Sequence, residues 1–354
     1  MITPGPSRRR LLLALGGGCA TLIAGCGDDA ASEGTAAVPS ASATPSTAAP
    51  GAQTWVTPRE LPEGWGSTEA DGVFPRTVVH LLGETTLDRA PTRIAGISTG
   101  QLDALLTLGL VPAGATTGEG AGLVPDYLAS EFADRTSDLA ALADLGLRTE
   151  PNLEAVAALA PDLVLVNASG PDDRELFDAL SAIAPTVATR STGLYWKQNL
   201  LLMGDAVGLG QKARALLADH QEAAAAFGAG LTTVPSVSLL RRNGDRVRIF
   251  GVSSFAGSVL EDARLPRPES QRFTDSVSTD LSPEQLGDAD GDWIFFGVQG
   301  GDAAELTALP LWSGLAAVQS DRAVEVDDDP FYLNTGPTAA RLVLEQLQTS
   351  LTTR

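Results

Sequence analysis

The sequence predicts an α/β protein of two similar lobes with a long helix between them, and three observations carry the prediction. A helix-then-strand motif occurs twice, 130 residues apart, as an internal repeat of two lobes would require. Short strands and helices alternate in the first half at lengths that imply parallel βαβ units. A midchain stretch, Tyr195 to Phe227, has an apolar stripe at helical spacing and few strand signals.

The first copy of the motif lies in residues 147–166. Pro151 precedes a short helix with Asn152 as N-cap and Glu154 in its first turn, an acid where the helix dipole favours one. Pro161 stops it, and Leu163 to Val166 is an unbroken apolar run, as a strand buried on both faces should be. In the second copy Ser282 is the N-cap, Pro283 the first helical residue, and Glu284 follows. The strand is Trp293 to Phe296, and Glu154 to Asp162 and Glu284 to Asp292 both span eight residues.

The other elements follow in order. Phe74 to Leu87 reads as a hairpin turning near Gly83–Glu84, and Arg93 to Ile97 as a strand. Leu102 to Leu108 reads as a helix closed by Gly109, with a strand from Pro112, which together make a βαβ unit. Residues 195–230 form the connecting helix, whose stretch Tyr195 to Phe227 would span about 45 Å if continuous, with Gly204, Gly208 and Gly210 as places where it could break. Val234 to Leu240 and Val247 to Phe250 are strands around the Asn243–Gly244 turn and open the second lobe. The boundaries expected are 55–194 for the first lobe and 231–354 for the second.

Composition excludes several functions. The formal charge is −20, against the basic patches that nucleic acid or an anionic membrane demands. The two cysteines, Cys19 and Cys26, lie near the N-terminus, and the histidines are His80 and His220. A zinc or copper site built by the protein is not expected from so few soft ligands.

The N-terminus carries export signals. Ser7-Arg8-Arg9-Arg10-Leu11-Leu12-Leu13 is a basic segment running into an apolar one, too short to span a bilayer as a helix. Its arginines also resemble a twin-arginine signal. Ile23-Ala24-Gly25-Cys26 resembles a bacterial lipoprotein box, which makes residues 1–25 the signal peptide and Cys26 the lipidated residue. Residues 26–54, nearly all small, polar or acidic after Cys26, read as a disordered tether. The expected location is the outer face of the cell membrane.

Gly146-Leu147-Arg148-Thr149-Glu150-Pro151-Asn152-Leu153-Glu154, Leu108-Gly109-Leu110-Val111-Pro112, Ile183-Ala184-Pro185-Thr186, Pro310-Leu311-Trp312-Ser313-Gly314-Leu315 and Phe331-Tyr332 resemble segments of the substrate-binding lipoproteins of iron-siderophore ABC importers. Within that group the ferric-hydroxamate-binding branch is the most similar. The resemblance covers about residues 74–348. It implies a class III periplasmic-binding-protein fold, two α/β lobes joined by a single long helix, with the ligand between the lobes. The bound species would be a ferric siderophore, so that the protein needs no cofactor of its own. It implies a monomer that meets an ABC permease, no nucleic acid, and a membrane only through its lipid.

The resemblance also implies site residues. Arg148 would hydrogen-bond the hydroxamate oxygens with its planar donor fork, although an exposed arginine beside a helix start can equally be a solvated one. Tyr332 would reach the same oxygens with its hydroxyl, the alternative being a half-buried core aromatic. Phe273 lies near the family's second-lobe cleft tryptophan. Val166 and Gly170 stand where the branch has first-lobe aromatics. Tyr195, Trp196 and Trp312 are further aromatic candidates whose alternative is packing at the hinge. Arg241 and Arg242, at the end of a strand, could enter the cleft or sit on a solvated turn. Glu154 and Glu284 would dock on the permease.

Other classes are weighed against this one. Gly96-Ile97-Ser98-Thr99-Gly100 matches the nucleophile-elbow pattern of serine hydrolases, yet the only later histidine is His220, inside the predicted helix. Ser98 and Thr99 are better read as cleft-floor or helix-capping hydroxyls. Catecholate siderophores, cobalamin or haem are the alternative ligands. A catecholate complex, being strongly anionic, would call for more cleft cations than Arg148, Arg241 and Arg242 offer.

Overall fold

The computed structural model describes residues 56–352 apart from 119–120, 171–172 and 192. The signal peptide, Cys26, the tether and Trp55 lie outside the described residues. Strands β1 (Arg76–His80) and β2 (Gly83–Leu87) form the expected hairpin. Its turn is Leu81–Leu82 rather than Gly83–Glu84. Leu81 N donates to Ala188 O and Leu82 enters the first lobe's core, so the apolar pair is drawn inward.

The first lobe continues with β3 (Ile94–Ile97), α1 (Gln101–Thr107), β4 (Gly114–Thr117), α2 (Asp126–Glu131), α3 (Thr136–Ala140), β5 (Ala143–Leu147), β6 (Glu150–Pro151), α4 (Leu153–Leu159), β7 (Leu163–Ala168), α5 (Arg174–Ser181) and β8 (Thr186–Arg190). They build a six-stranded sheet in the order β6-β5-β4-β3-β7-β8, parallel except for β6.

The connection is helical as expected but consists of two helices, α6 (Trp196–Val207) and α7 (Gly210–Gly230). Gly208, at φ 76°, caps α6 in the left-handed region, and Leu209 N turns back to Gly204 O. This is the glycine stop common at helix ends. Helix α6 packs under the first sheet, and α7, 21 residues or about 30 Å long, is the strut. The 45 Å expectation is thereby corrected.

The second lobe holds β9 (Val237–Asn243), β10 (Arg246–Phe250), α8 (Phe255–Asp262), β11 (Ser278–Leu281), β12 (Trp293–Val298), α9 (Ala304–Thr307), α10 (Ala316–Gln319), β13 (Ala323–Glu325) and α11 (Pro337–Thr352). Its five-stranded sheet has the order β11-β10-β9-β12-β13.

The repeat read from the sequence is also a repeat of pairing. Strand β3 runs parallel to β7 with Ile94 opposite Leu163, and β9 runs parallel to β12 with Val237 opposite Trp293. Asp162 accepts hydrogen bonds from Thr92 N at 2.9 Å and Arg93 N at 2.8 Å. Asp292 accepts one from Ser236 N at 2.8 Å. Each carboxylate thus holds the entry to the neighbouring strand, which explains a fixed eight-residue spacing. The second helix of the pair is a tighter 3₁₀ turn, Pro283–Ala289, where Ser282 N donates to Gln285 Oε1.

Strand side chains alternate between two cores. Leu163 and Leu165 of β7, with Trp293 and Phe295 of β12, enter one core shared by both lobes and by α1, α6, α7, α8 and α11. Val164 and Val166 enter a core private to the first lobe; Ile294 and Phe296 enter one private to the second. The helices are therefore a common middle layer between two sheets, which ties the lobes together.

Candidate functional site

In open parallel sheets, ligands collect at the carboxyl ends of the strands. In the first lobe that edge carries Ser98–Gly100 after β3, Gly118 after β4, Arg148 after β5, Asn167 near the end of β7 and Arg190 ending β8. The second lobe lays the segment 327–336, including a π-helical turn Asp329–Leu333, across it. Gly100 faces the Thr335 carbonyl so closely that a Cβ there would overlap it, and Gly336 meets Asp103 of α1 in the same way. These two contacts bring the lobes together at the floor of a crevice lined by Thr99, Gln101, Asn167, Trp196, Asn199 and Thr335.

Arg148 occupies the two-residue turn between β5 and β6, where Leu147 pairs with Glu150. Its backbone N donates to Thr117 O at 3.0 Å, which fixes the turn against β4. The side chain is exposed, and among the described residues no carboxylate lies within ion-pair distance of it. An unpaired guanidinium at this edge is available to a ligand.

Thr99 is half-buried at the crevice, as expected of a floor hydroxyl, whereas Ser98 is buried and donates to Thr99 O at 3.2 Å. His220 stands in α7, edge-on to Trp196 at 5.5 Å and 3.6 Å from Asp262.

Several expected ligand contacts are otherwise engaged. The Tyr332 hydroxyl donates inward to Phe295 O at 2.7 Å while its ring packs on Phe250 at 4.9 Å. Burial pushes this hydroxyl's pKa well up. Its expected bond to iron-bound oxygens is therefore corrected to a backbone bond, with the half-buried ring left near the cleft. Arg241 is buried and forms a bidentate pair with Asp328, at 2.7 and 2.6 Å, and Arg242 bonds the carboxylate and carbonyl of Glu305. Both cations are neutralised within the second lobe. Trp312 packs edge-on against Phe296 at 4.9 Å in that lobe's private core, and Phe273 lies over Gly251; neither is placed at the crevice. Trp196 donates to Ser258 Oγ at 2.8 Å and touches Phe255, so it is mainly hinge packing whose edge borders the crevice. Tyr195 lies beside Arg190. Val166 is buried in the first lobe's core and Gly170 stands beyond the end of β7.

Acidity gathers where the second lobe crosses the first. Burial and the charges of Asp327, Asp328 and Asp126 raise the Asp329 pKa to about 6. Its folded pKa exceeds the ordinary 3.8, so ionisation opposes folding above pH 6 and ceases to do so as the pH falls below 3.8. Asp329→Asn is expected to stabilise the protein by about 1 kcal/mol above pH 6, after allowance for solvent screening, and to have no effect below pH 3.8. Urea unfolding at the two pH values checks it.

Arg190 and Asn199 are not among the residues that the sequence singles out, and of the segment 327–336 only Phe331 and Tyr332 are. The acidic triplet Asp327–Asp329 beside Phe331–Tyr332 was a visible signal. Arg190 could have been suspected as a cation closing a buried strand. Glu154 and Glu284 are both exposed at the starts of their helices, and Leu153, beside Glu154, is an exposed large apolar residue. Among the described residues, no group of three or more His, Cys, Asp or Glu could hold a metal, and no helix is long and apolar enough to cross a membrane.

A cavity of about 550 Å³ lies elsewhere, between the C-terminal ends of α7 and α11 and the amino ends of β9 and β12. Its charged lining residue, Arg322, stacks over Trp293 at 6.0 Å. It sits at the wrong end of the strands for the usual ligand placement.

A family model described as periplasmic binding protein matches residues 94–330. The probable siderophore-binding lipoprotein YfiY of Bacillus subtilis is 33% identical over 307 residues, 81% of this chain and 91% of that protein. The Fe(3+) dicitrate-binding periplasmic protein FecB of Escherichia coli is 26% identical over 276 residues, covering 76% and 88%. Among solved structures, Staphylococcus aureus SirA complexed with staphyloferrin B superposes with a TM-score of 0.67 at 26% identity, covering 78% of this chain and 98% of that one.

Proposed function

Because the chain belongs to the periplasmic binding protein family, we propose that it captures a ferric siderophore of the hydroxamate type between its lobes and delivers it to an ABC permease. The observation that carries the reading is the charge arrangement at the carboxyl edge. Arg148 and Arg190 have no carboxylate within ion-pair distance among the described residues, while Arg241 and Arg242 are balanced by Asp328 and Glu305. A ferric trihydroxamate has little net charge and many oxygen acceptors, which two widely spaced guanidinium groups and neutral hydroxyls suit. A highly anionic catecholate complex would need more uncompensated cations.

In this reading iron arrives already chelated, so the protein supplies hydrogen-bond donors rather than metal ligands and carries no resident cofactor. No bond is made or broken. Lipid on Cys26 and the tether hold a monomer at the outer face of the cell membrane. Glu154 and Glu284, one exposed acid on each lobe, meet cations of the permease.

Tryptophan fluorescence should be quenched on titration with a ferric hydroxamate, since Trp196 borders the crevice. Arg148→Ala is expected to weaken that binding by about 10- to 100-fold, the loss of a charge-assisted hydrogen bond. If ferric hydroxamate, catecholate and carboxylate chelates all leave the wild-type fluorescence unchanged, the function proposed is wrong. Unchanged affinity in Arg148→Ala removes only that residue from the site.

A further inference from the structure

Arg190 ends β8 opposite Ala168 of β7, on the same carboxyl edge as Arg148. Its backbone is clamped on both sides by one side chain. Asn199 Oδ1 accepts from Arg190 N at 3.0 Å, and Asn199 Nδ2 donates to Arg190 O at 2.9 Å. Its guanidinium carbon lies over two rings, 4.7 Å from the centre of Tyr195 and 5.0 Å from that of Trp65. No carboxylate among the described residues comes within ion-pair distance, and Nε is buried with no hydrogen-bond partner. This differs from Arg241 and Arg242, each held by an acid.

A guanidinium held against two aromatic rings is positioned without being neutralised. Its planar fork of N–H groups matches the two oxygens of a carboxylate. The cage is assembled from three parts of the chain: the N-terminal segment gives Trp65, β8 gives Arg190, and the entry to α6 gives Tyr195. Asn199, which clamps it, also lines the interlobe crevice.

Strands β5 and β8 are separated by β4, β3 and β7, so Arg148 and Arg190 end strands about four spacings, or roughly 19 Å, apart. Thr99 and Asn167 lie at strands between them. We infer that Arg190 is a second ligand-binding cation, which selects ferric chelates bearing a free carboxylate arm in addition to the iron-binding groups. This rests on the siderophore function proposed above and narrows its substrate class to carboxylate-bearing chelates. Arg148 then serves the iron-bound oxygens and Arg190 the arm.

The test uses two probes that differ only in the arm: ferrioxamine B with its terminal amine acetylated, which is neutral, and with it succinylated, which adds one carboxylate. The wild-type protein should bind the succinylated form at least about tenfold more tightly, the range of one charge-assisted pair. Arg190→Gln should abolish that preference and leave the affinity for the acetylated form within about twofold. Arg190→Lys keeps the charge but not the fork, so it should retain part of the preference; it also serves as the readout if the glutamine variant does not fold. A preference that survives both substitutions, an equal loss for both probes, or wild-type protein that binds the two probes alike overturns the inference. Wild-type protein that binds no ferric chelate overturns the proposed function and this inference with it.

Discussion

Asp262→Ala is expected to cost about 3–5 kcal/mol of folding stability, because it strands a buried ammonium. Lys197 Nζ lies 2.6 Å from Asp262 Oδ2, with side-chain exposures of 0% and 1%. Arg59 reaches the same carboxylate at 3.0 Å and His220 approaches at 3.6 Å. Four parts of the chain meet there: the N-terminal segment, α6, α7 and the end of α8. Burial pushes the Asp262 carboxyl up, but the adjacent His220 ring, the Lys197 ammonium and the charge of Arg59 outweigh it and hold it below the usual value. Burial pulls Lys197 down more strongly than Asp262 can restore it. The two shifts place the cost of burial on the lysine, and the geometry, a short bond in a closed site, makes the carboxylate its necessary partner. With a folded pKa below 3.8, Asp262 contributes fully above that value and loses its contribution as the pH falls through its lowered value. The joint replacement Lys197→Met with Asp262→Leu should recover most of the loss, since apolar residues of similar size remove both desolvation costs. Denaturant unfolding of the single and double variants measures both effects.

Asp103→Asn is the second large effect, expected at about 2–3 kcal/mol from donors left facing a donor in a buried site. Asp103 belongs to α1 of the first lobe and is fully buried. It accepts from Thr338 N and Ala339 N, both at 2.9 Å, and from the Tyr127 hydroxyl at 3.0 Å. A first-lobe carboxylate therefore caps the helix that ends the second lobe, as a neighbouring side chain does at an ordinary helix start. Burial pushes its carboxyl up, with the hydrogen bonds from Ala339, Thr338 and Tyr127 acting against it. Asparagine keeps the shape but turns an amide NH₂ toward one of these donors. Hydrogen exchange should accelerate first in the opening turn of α11, ahead of the strands.

The two-lobed fold was legible because its signals are local. Asn152 accepts from Ala155 N at 3.0 Å as an N-cap should, Gly109 closes α1 with φ 86°, and Leu163 to Val166 is buried on both faces. The break between α6 and α7 was signalled only by glycines, whose effect depends on what packs beside them. The site was legible in part. Arg148 could be placed from its neighbours in sequence, since the tight β5–β6 turn is itself local. The engagement of Tyr332, Arg241 and Trp312 depends on residues far away in the chain: Phe295, Asp328 and Phe296. No local pattern encodes such pairings. The same holds for Arg190, whose cage joins residues 65, 190 and 195.

On the function proposed, a ferric siderophore binds where segment 327–336 crosses the carboxyl edge of the first sheet. Hydrogen exchange of the protein with and without a saturating ferric hydroxamate tests it most directly. Slower exchange is expected in residues 98–100, 147–149 and 327–336, with no change in residues 230–235. Protection confined to 230–235 and the end of α11, around the far cavity, would contradict it, as would no protection anywhere.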